Sequence, residues 1–302
     1  MSLFPKDLRD YGGLLGDGQV FAVDPTSGSD SNVGTKRSKA FASLSKAFSE
    51  CTDDRGDVII RYPGSETPSA AISMNKAGVT VVSNAALAAL AGLGYGMNVQ
   101  QAEKFATYPA AAYATGPMAI ITKPVRLIGL EFVTRVTAHA GAVDCSDAGA
   151  AIAFDGDDGG YAGGFSELRW CRFVDWWGTP YGLFFRGGAY NRVLECVFEG
   201  FNAGVCFGSG TRNPDYNHVI KSHFVDCVNG IEHYAAATPH NFLYRENTFV
   251  DYTDAIDFNN QAADGLVCGN WFETATDAAT YDITVAQAQA HGVQFSENHY
   301  SE

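Results

Sequence analysis

Four carboxylates stand where a chain returning on itself every 25 residues would pair them: Asp226 with Asp251 and Glu232 with Asp257. On neighbouring strands about 4.8 Å apart, either pair would approach the separation of about 5 Å at which a retaining glycosidase combines an acid with a nucleophile. Both pairs also have plainer readings. Asp226 and Asp251 each follow an aromatic residue into a turn, where Asp bonds to backbone amides. Glu232 and Asp257 each follow an isoleucine, and alternation along a strand turns them outward into solvent. If the chain is an enzyme, these four are its candidates.

Other chemistry is thinly represented. Asp155, Asp157 and Asp158 crowd the loop FDGDDGGYAGG and could hold calcium, but the closing Glu of an EF-hand is missing at its offset, so no metal site is expected. His218 and His223 are five apart, which would put them on opposite faces of one strand. No HExxH, GxSxG or phosphate-cradling Gly-Lys motif occurs, and no cofactor is expected. Aromatic residues gather at Trp170, Trp176, Trp177, Tyr181 and Tyr190, then at Tyr216, His233, Tyr234 and His240. Exposed, such a stripe would bind sugar rings; buried, it would be core or subunit contact, which is the expectation. Trp271 neighbours Phe272, so parity turns it outward as a surface anchor.

Composition sets the frame for these residues. The chain has 302 residues, 46% hydrophobic and 18% charged, with net charge −14. That is a globular balance, without the run of about 18 apolar residues needed to span a membrane. The acidity argues against nucleic-acid binding, which draws on Lys and Arg. MSLFPKDLRD lacks the pattern of a secretory signal. The seven cysteines form no CxxC pair and cannot all be paired, which fits free thiols made in a reducing cytoplasm.

From residue 165 onward one pattern recurs, an apolar residue followed five positions later by an aromatic one: LRWCRF, VLECVF, VIKSHF, YRENTF, VCGNWF and FSENHY, with LIGLEF as an earlier copy. The closing aromatics from Phe173 lie 25, 26, 25, 23 and 28 residues apart. Two residues earlier in each copy stand Cys171, Cys196, Ser222, Asn247, Asn270 and Asn298. Past the aromatic come small–apolar pairs: Gly182-Leu183, Gly204-Val205, Gly230-Ile231 and Ala255-Ile256. Short runs rich in Val, Ile and Phe, broken by Gly, Asn and Asp, exclude paired helices at this period and describe a single-stranded parallel β-helix. Its ladders would be Phe173, Phe198, Phe224, Phe249 and Phe272; Asn247, Asn270 and Asn298; and a turn set of Asp175, Asp226 and Asp251.

The first half should cap this solenoid. Val20–Val23 and 57–62 read as strands, and 38–55 as a helix with Phe41, Leu44 and Phe48 on one face, stopped by Gly56. A lone helix there would plug the open end. Residues 84–115, with 11 alanines in 32 positions, read as an excursion from the coil.

The block VDPTSGSDSN…GT…AFASLSKAFSEC…GDVIIRYPGSE resembles the opening of pectin-lyase-like right-handed β-helix proteins. More narrowly, GDVIIRYPGSETPSAAISMNKAGVTVVS followed by PVRLIGLEF is similar to β-helix proteins carried in the virions of tailed bacteriophages. The resemblance covers roughly 17–132 by motif and 165–300 by repeat. It implies a homotrimeric particle-surface protein such as a head decoration, fibre or spike. The set of Asn-Thr-Asp, double Asp, Gly-His-Gly and Arg-Ile-Lys found in pectin-type hydrolases has no counterpart here. Val219-Ile220-Lys221 lacks the Arg, and Asp157-Asp158 lies in a Gly-rich loop.

The expectation is therefore an anchoring arm over 1–18 that docks through Phe4, Leu8 and Tyr11, followed by a β-helix over 19–302 of about ten coils. With Tyr300 two residues from the end, the final coil has no capping helix, and another subunit or a host particle is expected to cover it. The partners would be further copies, capsid or tail proteins, and a host-surface glycan. The setting would be the virion surface, without nucleic acid or membrane. A polysaccharide-degrading tailspike and a glycan-binding adhesin are the rivals.

Overall fold

The computed structural model describes residues 18–66, 70–90, 103–107, 117–134, 150–154, 164–175, 181–208, 214–234, 239–258, 264–273 and 292–301. Phe4, Leu8, Tyr11, Asp155, Asp157, Asp158, Trp176, Trp177 and most of 84–115 lie outside them.

One coil shows why these residues make this fold. Arg192–Leu194, Val197–Glu199 and Ala203–Phe207 are short strands separated by bends at Glu195 (φ 53°) and Gly200 (φ 81°). A single left-handed residue turns the chain sharply without using up length. Repetition of this unit builds three parallel sheets, of ten, eight and seven strands among the described residues, called here sheets 1, 2 and 3. Every strand pairs with its counterpart one coil away, as Phe198 does with Phe224 and Val205 with Ile231. The fold is the expected right-handed parallel β-helix.

Register puts like upon like in the core. Phe132, Phe173, Phe198, Phe224, Phe249, Phe272 and Tyr300 form one column with centroids 5.0, 4.9, 5.0, 4.9, 5.1 and 5.3 Å apart. The opposite wall must be small to admit these rings. A Cβ at Gly204 would lie 2.6 Å from Phe224 Cδ1, and one at Gly230 would lie 2.5 Å from Phe249 Cδ1. The small–apolar pairs read from the sequence are thus the rings' sockets.

The bend between sheets 1 and 2 leaves a buried amide in every coil, and the polar ladder answers it. Asn247, Asn270 and Asn298 accept through Oδ1 from the backbone N–H of Ser222, Asn247 and Asn270 at 2.9, 2.9 and 3.1 Å. Their Nδ2 groups donate to the carbonyls of Val219, Tyr244 and Val267. Both ends of each side-chain amide therefore have partners, which is what makes a buried Asn tolerable.

At the N-terminal end the helix is shorter than 38–55. A 3-10 turn spans Arg37–Lys39, and α1 spans Leu44–Glu50. Phe41 bridges Val23 in strand fashion, the Ser43 side chain caps α1 by accepting from Lys46 N, and the helix stops at Cys51 instead of Gly56. Leu44, Ala47 and Phe48 are buried, as a plug requires. Glu66 accepts from Leu44 N at the start of α1, and burial pushes its carboxyl up to about 7.

Three further expectations are corrected. The excursion opens with helix α2 (Asn84–Leu90) but also returns a strand, Glu103–Thr107, to sheet 2 beside Leu130–Thr134. His218 and His223 do not share a strand, because the Lys221 bend sends them to sheets 1 and 2. Asp175 leaves the turn set: it is buried and receives the Thr134 hydroxyl at 2.8 Å, whereas Asp226 and Asp251 take left-handed bends.

Phe224→Ala is expected to remove about 3–5 kcal/mol of stability in urea unfolding followed by circular dichroism, the usual cost of an emptied aromatic site. The outward Thr248→Ala should stay within about 0.5 kcal/mol, and equal losses in the two variants would refute the stacked column.

Candidate functional site

With the interior committed to packing, chemistry is left to the outward columns. On sheet 3 the strands Tyr181–Phe185, Ala203–Phe207, Asn229–His233 and Asp254–Asp257 align so that Phe184, Cys206, Glu232 and Asp257 form one outward column. Tyr181, Ala203, Asn229 and Asp254 form the other. The face changes character along the axis. Tyr181, Phe184, Ala203 and Cys206 form a buried apolar cluster against which Tyr234 packs, and the next two coils present Asn229, Glu232, Asp254 and Asp257.

Glu232 and Asp257 occupy paired positions on adjacent strands, which are spaced about 4.8 Å apart. Asn229 Nδ2 donates to Asp257 Oδ2 at 3.2 Å. The Asn229 amide also bonds to Glu232, which favours ionisation, but burial outweighs it and raises the Glu232 carboxyl above the usual range. The expected freely solvated face is therefore corrected for Glu232, which is half-buried. A carboxyl whose pKa is raised by burial, beside a second carboxyl that accepts a hydrogen bond, has the kind of asymmetry that acid–base pairs use. Their backbones stand one strand spacing apart, less than the carboxyl separation of about 6.5–9.5 Å that an inverting pair uses.

The other candidates separate. Asp226 and Asp251 are exposed at the corner between sheets 2 and 3, in left-handed bends at φ 53° and 51°. Trp271 faces outward from sheet 2, 45% exposed, with its ring centroid 6.1 Å from that of His299. The aromatic cluster divides. Tyr181 and His233 are buried, with His233 Nε2 2.7 Å from the Tyr244 hydroxyl and its pKa lowered to about 3 by burial. Tyr190 and Tyr216 are exposed instead of core. Trp170 donates to Glu195, and His240 pairs with Asp264. Among the described residues no cluster of three or more His, Cys, Asp or Glu could hold a metal ion.

Sequence reasoning missed Asn229, whose signal was its place in the same small-residue column as Ala203. It also missed a second buried polar ladder. Asn191 and Asn217 accept through Oδ1 from the backbone N–H of Ser166 and Asn191, both at 2.9 Å. That ladder was visible as the triplets Phe165-Ser166-Glu167, Tyr190-Asn191-Arg192 and Tyr216-Asn217-His218.

No protein-family model and no curated protein matches the chain. Solved structures do match. A GH136 lacto-N-biosidase from Eubacterium ramulus aligns over 94% of this chain at 11% identity and TM-score 0.57. A pectate lyase aligns over 96% of this chain and 78% of its own, at 14% identity and TM-score 0.52. A Geobacillus virus E2 open-reading-frame product aligns over 93% of this chain and 62% of its own, at 11% identity and TM-score 0.47. The chain spans 60% of the length of the lacto-N-biosidase. At these identities the likeness is one of fold, the parallel β-helix.

A carboxyl whose folded pKa is raised stabilises the fold below its unfolded pKa and loses that contribution as pH rises through the folded value. Above the ordinary Glu value of 4.5, the native protein should therefore lose more stability with rising pH than Glu232→Gln does. Urea titrations between about pH 4 and 8 would read this, and parallel curves would show that Glu232 titrates normally.

Proposed function

We propose that the chain is a non-enzymatic structural protein of the surface of a tailed-bacteriophage particle, a homotrimeric β-helical decoration or spike protein. It is made in the host cytoplasm and attaches to capsid or tail proteins. The observation that carries this reading is the uninterrupted ring column from Phe132 to Tyr300, flanked by polar ladders whose amides bond from coil to coil. Such a rod resists bending because every coil is fixed to the next by packing and hydrogen bonds at once.

The block that resembles virion β-helices adds support, since its polar residues build the plug. Asp24 accepts from the backbone N–H of Thr26 and Ser27, and Asp30 accepts from Ala42 N, Ser43 N and the Ser43 hydroxyl. The six described cysteines are free, and five of them are buried, in keeping with cytoplasmic synthesis.

A second reading, a polysaccharide-cleaving tailspike, is favoured by the Glu232–Asp257 pair. The lacto-N-biosidase and pectate lyase show that this fold can carry sugar chemistry.

Light scattering of the purified protein should give three times the chain mass of 32.3 kDa, and mass spectrometry should find the protein in purified particles. Hundreds of copies per particle would indicate decoration, and a few dozen at most would indicate a spike. A monomer missing from particles would refute the proposal. Incubation with capsular or lipopolysaccharide should release no reducing ends. Release that disappears in Glu232→Gln and Asp257→Asn would establish the enzyme instead.

A further inference from the structure

The second polar ladder carries an outward counterpart on sheet 1. Phe165, Tyr190 and Tyr216 occupy successive left-handed bends, at φ 59°, 63° and 56°. Asn or Gly would hold such a bend with less strain, and the next coil does use Asn241. The three rings are nonetheless 59%, 39% and 40% exposed. They stack with centroids 4.9 and 4.6 Å apart and planes within 8°. Stacking covers the faces between the rings and leaves the rest of the row partly open to solvent.

This row borders a groove of about 280 Å³ whose floor is the outward column Arg126, Glu167, Arg192 and His218. These are register partners on four successive strands. Elsewhere on the outer faces guanidinium groups are paired: Arg172 lies between Glu131 and Glu199, and Arg169 meets Glu195. Arg126 and Arg192 are exposed and have no carboxylate partner among the described residues, in a chain with 34 acidic and 20 basic residues. Unpaired cations on so acidic a protein mark a place for an outside anion. Their Cα atoms are two coils apart, about 9.6 Å at the strand spacing, close to the length of a disaccharide. A guanidinium fork matches a carboxylate in two parallel hydrogen bonds.

We propose that the groove binds a carboxylated glycan, with carboxylates on alternate sugars held by Arg126 and Arg192 and the sugar rings lying along the Phe165–Tyr190–Tyr216 wall. Glu167, between the two arginines, accepts sugar hydroxyls. The site is distinct from the Glu232–Asp257 pair on sheet 3 and from Trp271 on sheet 2, and it stands whether or not the protein cleaves anything.

Isothermal titration of the full chain would test it with oligogalacturonate, oligosialate and hyaluronan fragments. Their carboxyl-reduced neutral forms and poly(glycerol phosphate) serve as contrasts. At least one carboxylated probe should bind, and its reduced form should not. The double variant Arg126→Gln/Arg192→Gln should lose about tenfold or more, as the loss of charged hydrogen bonds implies. Tyr190→Asn/Tyr216→Asn, which keeps residues suited to the bends, should also weaken binding. Thr248→Ala, on the outward face of sheet 2, should leave it unchanged. Circular dichroism of the variants confirms that they are folded, since all four substituted groove side chains are exposed. The proposal is overturned if no carboxylated probe binds at millimolar concentration, if the reduced forms bind equally, if the arginine variant binds as the native protein does, or if only the phosphate polymer binds. It is likewise overturned if no glycan binds and the arginine variant instead changes the oligomeric state, which would assign this face to a second copy.

Discussion

Parallel strands stacked in register fix the distance between equivalent residues at nearly one strand spacing, and the rest of this molecule follows from that distance. A spacing of about 4.8 Å suits offset aromatic rings, whose centroids prefer separations of about 4.5–7 Å. A Phe in one coil therefore favours a Phe in the next, and the column from Phe173 to Phe272 keeps centroid distances of 4.9–5.1 Å throughout. The column in turn dictates what stands opposite. Gly182, Gly204 and Gly230 leave room for Phe198, Phe224 and Phe249, where an added methyl carbon would approach ring carbons within 2.8 Å. Packing constrains two positions per coil together, and this coupling is what the repeat records.

The same distance governs the polar interior. A left-handed bend leaves its following amide N–H without a strand partner, and a side chain one coil further on is the only group at the right height to accept from it. Asn does so with Oδ1 and still donates through Nδ2, whereas Ser222 reaches Cys196 N only through its hydroxyl, at 3.2 Å. Cys171 and Cys196 occupy the same column with thiols that donate weakly to strand carbonyls at 3.3–3.6 Å. The ladder thus grades from sulfur to hydroxyl to amide along the axis.

Much of the fold is legible in the amino-acid order, because solenoid periodicity places distant residues in contact by counting. The ring column, the Asn ladder and the small–apolar pairs all fall at their expected places, and so does the outward Trp271. Features that depend on local bends are not legible in this way. A count of five residues between His218 and His223 says nothing of the left-handed Lys221 between them, so strand parity fails there. Asp175 looks like Asp226 by spacing, yet Thr134 in the preceding coil offers it a hydroxyl and draws it inward. The helical pattern over 38–55 overruns α1 because Phe41 serves the core as well from a strand-like bridge as it would from a helix.

The sites are less legible than the fold for a reason inherent in such a scaffold. Inward columns are constrained by their neighbours above and below, so they repeat and announce themselves. Outward columns answer to solvent or to a partner, and their residues change from coil to coil, as Phe184, Cys206, Glu232 and Asp257 do on sheet 3. Departure from repetition is therefore the mark of function on an outward column, except where repetition persists on side chains that stay exposed. The exposed Phe165, Tyr190 and Tyr216 are that exception: they repeat like a core column while gaining little burial, on bends that a smaller residue would hold with less strain. Mutual stacking of the rings supplies part of that constraint, and a ligand lying along the row would supply the rest.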